Sequence, residues 1–209
     1  MINARLRHIA ATAPATSGVA EGDAFFSYAA LAERVERLAA GLAERGIGPG
    51  SVVALLVPNS PDIFVVAHAL FALGAIAMPL GLTARRAELA ALARTTGLAA
   101  VVAAPAQAEA AAALIADVAP AAPLFSTAAL ADIERAPARL PDLPGSTPAL
   151  YLFSSGSTGL PKIVPHTHAE LIADGERTSG AWRLQPDDRM VNILPPNFAM
   201  GFLMGVMDV

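Results

Sequence analysis

The chain alternates between stretches of helical periodicity and short runs of continuous apolar residues. From residue 28 onward, apolar residues recur at steps of three and four and would share one helix face: Tyr28, Leu31, Val35, Leu38 and Leu42. Ser27 is the predicted N-cap of this helix, and Gly46 predicts its end. A short amphipathic helix is predicted before it, over residues 1–13.

The apolar runs predict strands that are covered on both faces. They span residues 52–57, 76–80, 98–103, 149–153, 163–164 and 190–194. Further helices are predicted over residues 61–74 with Pro61 as the first residue, 83–97 with Thr83 as the cap, 107–118, and 167–182 with Thr167 as the cap. This order of elements is typical of an α/β protein with a doubly wound, mainly parallel sheet flanked by helices.

A proline-rich stretch divides the chain. Residues 136–148 contain four prolines and one glycine, and they are the predicted linker: Pro137, Pro141, Pro144, Gly145 and Pro148. We therefore expect a first α/β subdomain over residues 1–135. Residues 149–209 would begin a second, incomplete α/β subdomain.

Composition excludes several classes of function. The 209 residues contain no cysteine, which excludes disulfides and thiolate catalysis within this sequence. The four histidines (His8, His68, His166 and His168) form no metal-ligand pattern with nearby carboxylates, so no metal site is predicted from protein ligands. A net charge of -4 gives no reason to expect nucleic acid or an anionic membrane as a partner.

One uncharged stretch, residues 63–82, is long enough to span a bilayer. It is interrupted by His68, Gly74, Pro79 and Gly81, and much of it is alanine. We therefore interpret it as a buried helix followed by a strand, with His68 as a core histidine. No export signal is evident, and the predicted location is cytoplasmic.

The segment most informative about chemistry is residues 154–162, Ser-Ser-Gly-Ser-Thr-Gly-Leu-Pro-Lys. Glycines let backbone N–H groups turn toward an anion, hydroxyls add donors, and a lysine adds a positive charge. Lys162 is the only lysine among the 14 basic residues. Taken alone, a segment of this composition is usually just a solvated turn between two strands. A Walker loop is disfavoured, because Pro161 precedes the lysine and a strand-like pair follows it.

The segments 151–162 and 164–168 resemble the signature loop of the adenylate-forming (AMP-binding) superfamily. This superfamily includes acyl- and aryl-CoA ligases, aryl-acid AMP ligases, luciferases and peptide-synthetase adenylation domains. Residues 26–31, 48–54 and 70–80 resemble further segments of the family in the expected order, so that the resemblance spans nearly the whole chain.

The resemblance implies ATP- and Mg²⁺-dependent activation of a small carboxylic acid as an acyl adenylate. Transfer to a thiol would follow, either coenzyme A or the phosphopantetheine of a carrier protein. The residues that would hold the phosphates are Ser154, Ser155, Gly156, Ser157, Thr158, Gly159 and Lys162. Within this set, Thr158 and Lys162 are the predicted catalytic residues.

Residues 194–201 fall where the family begins its acid-binding pocket. Phe198 is the predicted pocket wall, and Asn197 and His168 are further candidates. Residues 164–168 are closer to aryl-acid ligases than to long-chain ligases, which favours an aryl acid. Ile163 stands where the family usually has glycine.

Other residues on which the activity of the family depends have no counterpart in this sequence, among them the lysine that contacts the reacting carboxylate. The sequence is therefore expected to be the N-terminal portion of a longer enzyme, inactive as a fragment. A different class stays open as the alternative, namely a non-catalytic nucleotide- or partner-binding module of the same fold. A small membrane-associated protein that uses residues 63–82 is a third possibility.

Overall fold

A computed structural model describes residues 1–154 and 162–207. Its helices are α1 (Ile2–Thr12), α2 (Tyr28–Ala43), α3 (Pro61–Leu73), α4 (Arg86–Arg94), α5 (Ala108–Val118), α6 (Leu130–Ile133), α7 (His168–Trp182) and α8 (Ala199–Phe202). Its strands are β1 (Gly18–Glu21), β2 (Ala24–Ser27), β3 (Val52–Leu56), β4 (Ile76–Pro79), β5 (Leu98–Ala103), β6 (Leu124–Ser126), β7 (Pro148–Ser154) and β8 (Lys162–Thr167). Short 3₁₀ turns span Pro105–Gln107 and Thr127–Ala129, and a π-helical turn spans Leu203–Met207.

Six strands form one sheet in the order β6-β5-β3-β4-β7-β8. Neighbouring strands are parallel except for β8, which runs antiparallel to β7. β1 and β2 form a separate antiparallel hairpin. The predicted α/β class, with a mainly parallel sheet flanked by helices, is confirmed.

Alternate strand residues enter two separate apolar clusters, one on each face of the sheet. Val53, Leu55 and Val102 pack in the cluster that contains α3, whereas Val52, Ala54 and Val101 pack in the cluster that contains residues of α4 and α5. Both faces are thus covered, which explains why the strands are continuous apolar runs in sequence. Every residue of α3 except Asp62 is buried, so this helix is central to its cluster.

Local signals place several helix ends correctly. The Ser27 hydroxyl accepts a hydrogen bond from the Ala30 backbone N–H at 3.2 Å and caps α2 as predicted. Gly74 ends α3 with a φ of 70°, a left-handed conformation that glycine adopts without steric cost. Thr167 caps α7 in a reciprocal capping box with Glu170.

Two predictions about local structure are wrong. Thr83 does not cap α4, because this helix begins at Arg86 and Arg85 occupies the N-cap position. Residues 190–194 form no strand, and the side chains of Val191 and Ile193 are 79% and 81% exposed. An apolar run becomes a strand only where another strand pairs with it, and none of the strands within the described residues does so.

Residues 136–147 have no helix or strand, and β7 follows directly after them. β7 pairs with β4, so strands on both sides of this proline-rich stretch belong to the same sheet. The division into two subdomains stays a prediction. Within residues 1–154 and 162–207, no helix is both long enough and apolar enough to cross a membrane.

Candidate functional site at the carboxyl edge of the sheet

The carboxyl ends of three parallel strands meet at one edge of the sheet. β3 leads into Asn59, β4 leads into Gly81, and β7 ends at Ser154. The helix that follows β3 packs on one face of the sheet, and the helix that follows β4 packs on the other. In open α/β sheets such a change of face opens a crevice at the carboxyl edge, where ligands commonly bind.

Ser154 and Lys162 lie directly opposite one another at this edge. They pair across the antiparallel β7 and β8, and both side chains are exposed. Residues directly opposite in a sheet point to the same face, and residues two apart on a strand do so as well. Ser154 and Lys162 therefore face the same way as Leu152, which packs in the α3 cluster.

The other predicted phosphate-binding residues are Ser155, Gly156, Ser157, Thr158 and Gly159, and all of them lie outside the described residues. Their segment begins after Ser154 and ends before Lys162. The prediction that it joins two strands is confirmed by the pairing of β7 with β8.

The segment from Asn192 to Gly201 lies beside the carboxyl end of β3. The Asn59 side-chain amide donates to the carbonyl oxygen of Leu194 at 2.7 Å and to that of Asn192 at 3.4 Å. The Asn192 side chain in turn donates to the carbonyl oxygen of Gly201 at 2.8 Å and accepts from the Leu194 N–H at 3.2 Å. A network of side-chain amides thus holds this segment against the sheet.

Asn197 and Phe198 lie within this segment. The Asn197 amide nitrogen is 3.6 Å from the position that a Cβ would occupy on Gly81, at the end of β4. Phe198 is 58% exposed and does not pack in the core. The structure therefore brings Asn197 to the carboxyl edge and leaves the ring of Phe198 accessible to a ligand.

His168 does not belong to this group. It is 1% exposed, and it follows Thr167, which pairs with Pro148 at the opposite end of β7. Ser154 lies six residue steps along β7 from Pro148, a distance of about 20 Å at about 3.3 Å per step. The predicted contact of His168 with the acid is therefore not supported, because its ring packs edge-on against Phe71 in the core.

His68 is the core histidine that its place on α3 predicted. Its Nε2 lies 2.8 Å from the carbonyl oxygen of Val206, so this nitrogen carries the proton and donates. Burial lowers the pKa of His68 from 6.5 to about 4, and burial likewise lowers the pKa of His168 to about 4. Both rings are consequently neutral at pH 7.

Asn59 and Asn192 were not identified from the sequence. The usable signal at Asn59 is its position, since it is a polar residue that follows a buried strand of a doubly wound sheet. Asn192 lies within residues 190–194, for which the sequence predicts a strand. Because that prediction is wrong, it gave no indication that Asn192 ties a loop together.

The chain is similar to known proteins both in sequence and in fold. The family model described as "AMP-binding enzyme" matches residues 6–208. The chain is similar to salicyl-AMP ligase / salicyl-S-ArCP synthetase of Mycobacterium tuberculosis, with 33% identity over 216 aligned positions that cover 94% of this chain and 38% of that protein. Feruloyl-CoA synthase of an Amycolatopsis species is 34% identical over 160 positions, covering 76% of this chain and 31% of that protein.

Among solved structures, the apo structure of MbtA from Mycobacterium smegmatis superimposes on the whole chain with a TM-score of 0.88 and 29% identity. That match covers 42% of the MbtA chain. The 209 residues thus span less than half the length of each of these three proteins.

Proposed function

The chain belongs to the AMP-binding enzyme family, and from this premise we propose that its protein activates a carboxylic acid with ATP. An oxygen of the acid attacks the α-phosphorus, and the bond from that phosphorus to the bridging oxygen breaks. The electron pair leaves with pyrophosphate, and the product is an acyl adenylate. In a second step a thiolate attacks the acyl carbon and AMP departs.

The observation that carries this proposal is the pairing of Ser154 with Lys162 at the carboxyl edge. It brings both ends of the glycine- and hydroxyl-rich segment to the edge where doubly wound sheets bind ligands. A lysine ammonium there is suited to phosphate oxygens, which it attracts as a compact positive charge.

The proposed role of Lys162 and Thr158 is electrostatic. Negative charge moves onto the pyrophosphate as the phosphorus–oxygen bond breaks, and donors placed in advance stabilise that charge. The side chains of Ser154, Ser155 and Ser157 and the backbone at Gly156 and Gly159 would add further donors.

Magnesium is proposed only as the ion that accompanies ATP. Within residues 1–154 and 162–207, no cluster of three His, Asp or Glu side chains is arranged to hold a metal ion. Mg²⁺ is usually held by one or two carboxylates together with the phosphates of the nucleotide.

An aryl acid is the proposed substrate, with Phe198 as one wall of its pocket and Asn197 beside it. Two relatives are named for aryl acids, one for salicylate and one for ferulate. The exposed ring of Phe198 offers a flat apolar surface against which an aryl group can stack. The thiol would be coenzyme A or a carrier-protein phosphopantetheine, since the two relatives differ in this respect by name.

The test is ATP–pyrophosphate exchange by the protein expressed from the whole reading frame that contains these residues. A panel of hydroxybenzoates, cinnamates and short aliphatic acids is supplied one at a time. Exchange that depends on an added acid, and is fastest with an aryl acid, supports the proposal. ATP binding without exchange for any acid would instead indicate the non-catalytic module.

A further inference from the structure

Asn59 joins two parts of the chain that are far apart in sequence. It stands just after β3, and its amide reaches Leu194 and Asn192, which lie 135 and 133 residues later. Both partner atoms are carbonyl oxygens, which only accept hydrogen bonds. The nitrogen end of the Asn59 amide must therefore face them, and an aspartate of the same shape could not make either bond.

The backbone around Asn59 is stiff. Pro58 and Pro61 flank it, and each proline fixes its own φ. Pro61 also begins α3, which is almost wholly buried. The amide is thus presented from a part of the molecule that has little freedom to move.

The segment that Asn59 holds is closed on itself. Asn192 bonds both the Leu194 N–H and the Gly201 carbonyl, so the two ends of the loop are tied together. Gly201 is packed so closely against the backbone that a Cβ there would collide with the carbonyl oxygen of Pro195. The hydrogen bonds of Asn59 to Asn192 and Leu194 connect this loop to the residues that follow β3.

We propose that Asn59 is a positioning residue for the acid-binding side of the site. It holds the loop 192–201 so that Asn197 and Phe198 lie at the carboxyl edge, beside Gly81. This inference rests on the proposed function. Because Asn59 contacts this loop and neither Ser154 nor Lys162 in the described structure, its loss is expected to affect the acid more than ATP.

The experiment is the same exchange assay, with the acid and ATP varied separately. Asn59→Ala is expected to raise KM for the acid roughly tenfold, the effect of losing a hydrogen bond and leaving a carbonyl unpaired. KM for ATP is expected to stay within about twofold, since the lost bond is not part of the phosphate side. Asn59→Asp should raise the acid KM further, because its carboxylate would face two carbonyl oxygens.

Asn3→Ala on α1 is the matched control and should leave both constants unchanged. Asn192→Ala loosens the same loop from its other side, and it should show the same separation of the two constants. Asn192→Ala also tests the positioning role if the Asn59→Ala protein does not fold.

The inference is overturned if the Asn59 and Asn192 variants raise both constants equally, or lower only the melting temperature. An unchanged acid KM in folded Asn59→Ala overturns it as well while leaving the proposed function standing. If the wild-type protein shows no pyrophosphate exchange with any of the acids tested, the proposed function itself fails, and the positioning role fails with it.

Discussion

Nε2 of His68 lies 2.8 Å from the carbonyl oxygen of Val206. This hydrogen bond joins the middle of α3 to the last turn of the described chain. The centroid of the His68 ring lies 5.7 Å from that of the Phe71 ring, and the centroid of the His168 ring lies 5.9 Å from it. Two neutral histidines thus share one aromatic neighbour in the core.

These two histidines should make the fold sensitive to acid. Their pKa values are about 4 in the folded protein, against 6.5 as the ordinary value. The unfolded state binds protons first as the pH falls, so stability is complete above pH 6.5 and is lost progressively down to about pH 4. Each histidine contributes a slope of up to about 1.4 kcal/mol per pH unit in this window.

Urea unfolding at a series of pH values between 7 and 4.5 measures this slope. His168→Leu should reduce it and leave stability at pH 7 equal or higher, because neither ring nitrogen of His168 has a hydrogen-bond partner within the described structure. A slope that His168→Leu does not change would contradict the prediction.

Lys162→Ala should damage pyrophosphate exchange far more than folding. Lys162 is exposed on β8, and substitutions at such positions usually change stability by less than about 0.5 kcal/mol. Loss of a donor aimed at developing charge costs on the order of 10²–10³ in rate. The comparison needs exchange kinetics and urea unfolding on the same variant, and Thr158→Ala should show the same pattern.

The control for this charge is Arg94→Ala, which removes an exposed cation from α4. It should leave exchange at the wild-type rate. Equal losses of activity and of folded protein in Lys162→Ala would argue against the phosphate role.

Two glycines in helices should respond to alanine with opposite signs. Alanine is favoured over glycine in a helix by about 1 kcal/mol, and at Gly180 of α7 no atom lies within 4 Å of the added methyl group. Gly180→Ala should therefore raise the free energy of unfolding. At Gly41 of α2 the same group would collide with the carbonyl oxygen of Ile133, and the expected loss is about 1–3 kcal/mol.

Urea denaturation of both variants and the wild type measures the two differences. The collision at Gly41 reports the packing of α2 against the end of α6. A stabilising Gly41→Ala would mean that this contact is looser than the structure has it.

The start of α7 should depend on the Thr167 hydroxyl. This oxygen accepts from the Glu170 N–H at 3.3 Å, while the Glu170 carboxylate accepts from the Thr167 N–H at 2.8 Å. Thr167→Val keeps the shape and removes the cap, with an expected loss of about 1 kcal/mol in thermal or urea unfolding. Thr167→Ser is the matched control and should retain most of the stability, and equal values for the two variants would count against the cap.

Much of the fold could be predicted from the sequence, because its signals are local. The helix face from Tyr28 to Leu42, the cap at Ser27 and the glycine stop at Gly74 all depend on residues a few positions apart. The buried strands could be recognised from their continuous apolar runs, and β5 has the predicted bounds, Leu98–Ala103. The short β1, β2 and β6 were not predicted, because three or four residues carry little periodicity.

Features that depend on the pairing of strands far apart in sequence could not be predicted from such local signals. Residues 190–194 have a strand-like composition, yet a strand exists only if a partner lies beside it, and composition does not name the partner. His168 follows a signature-like segment, but the direction of β8 carries it to the far end of β7 and into the core.

The segment 154–162 stands out by its glycines, hydroxyls and lysine, but its phosphate-binding role is predicted from the family resemblance and not from composition. The hydrogen-bond partners of Asn59 could not be predicted from the sequence. Its hydrogen bonds reach backbone carbonyls more than 130 residues away, and every residue type offers the same carbonyl group. Side-chain chemistry and short-range periodicity can be recognised from the sequence alone. A hydrogen bond between an amide and a distant backbone oxygen forms only when the sheet and its helices have packed, so only the tertiary structure shows it.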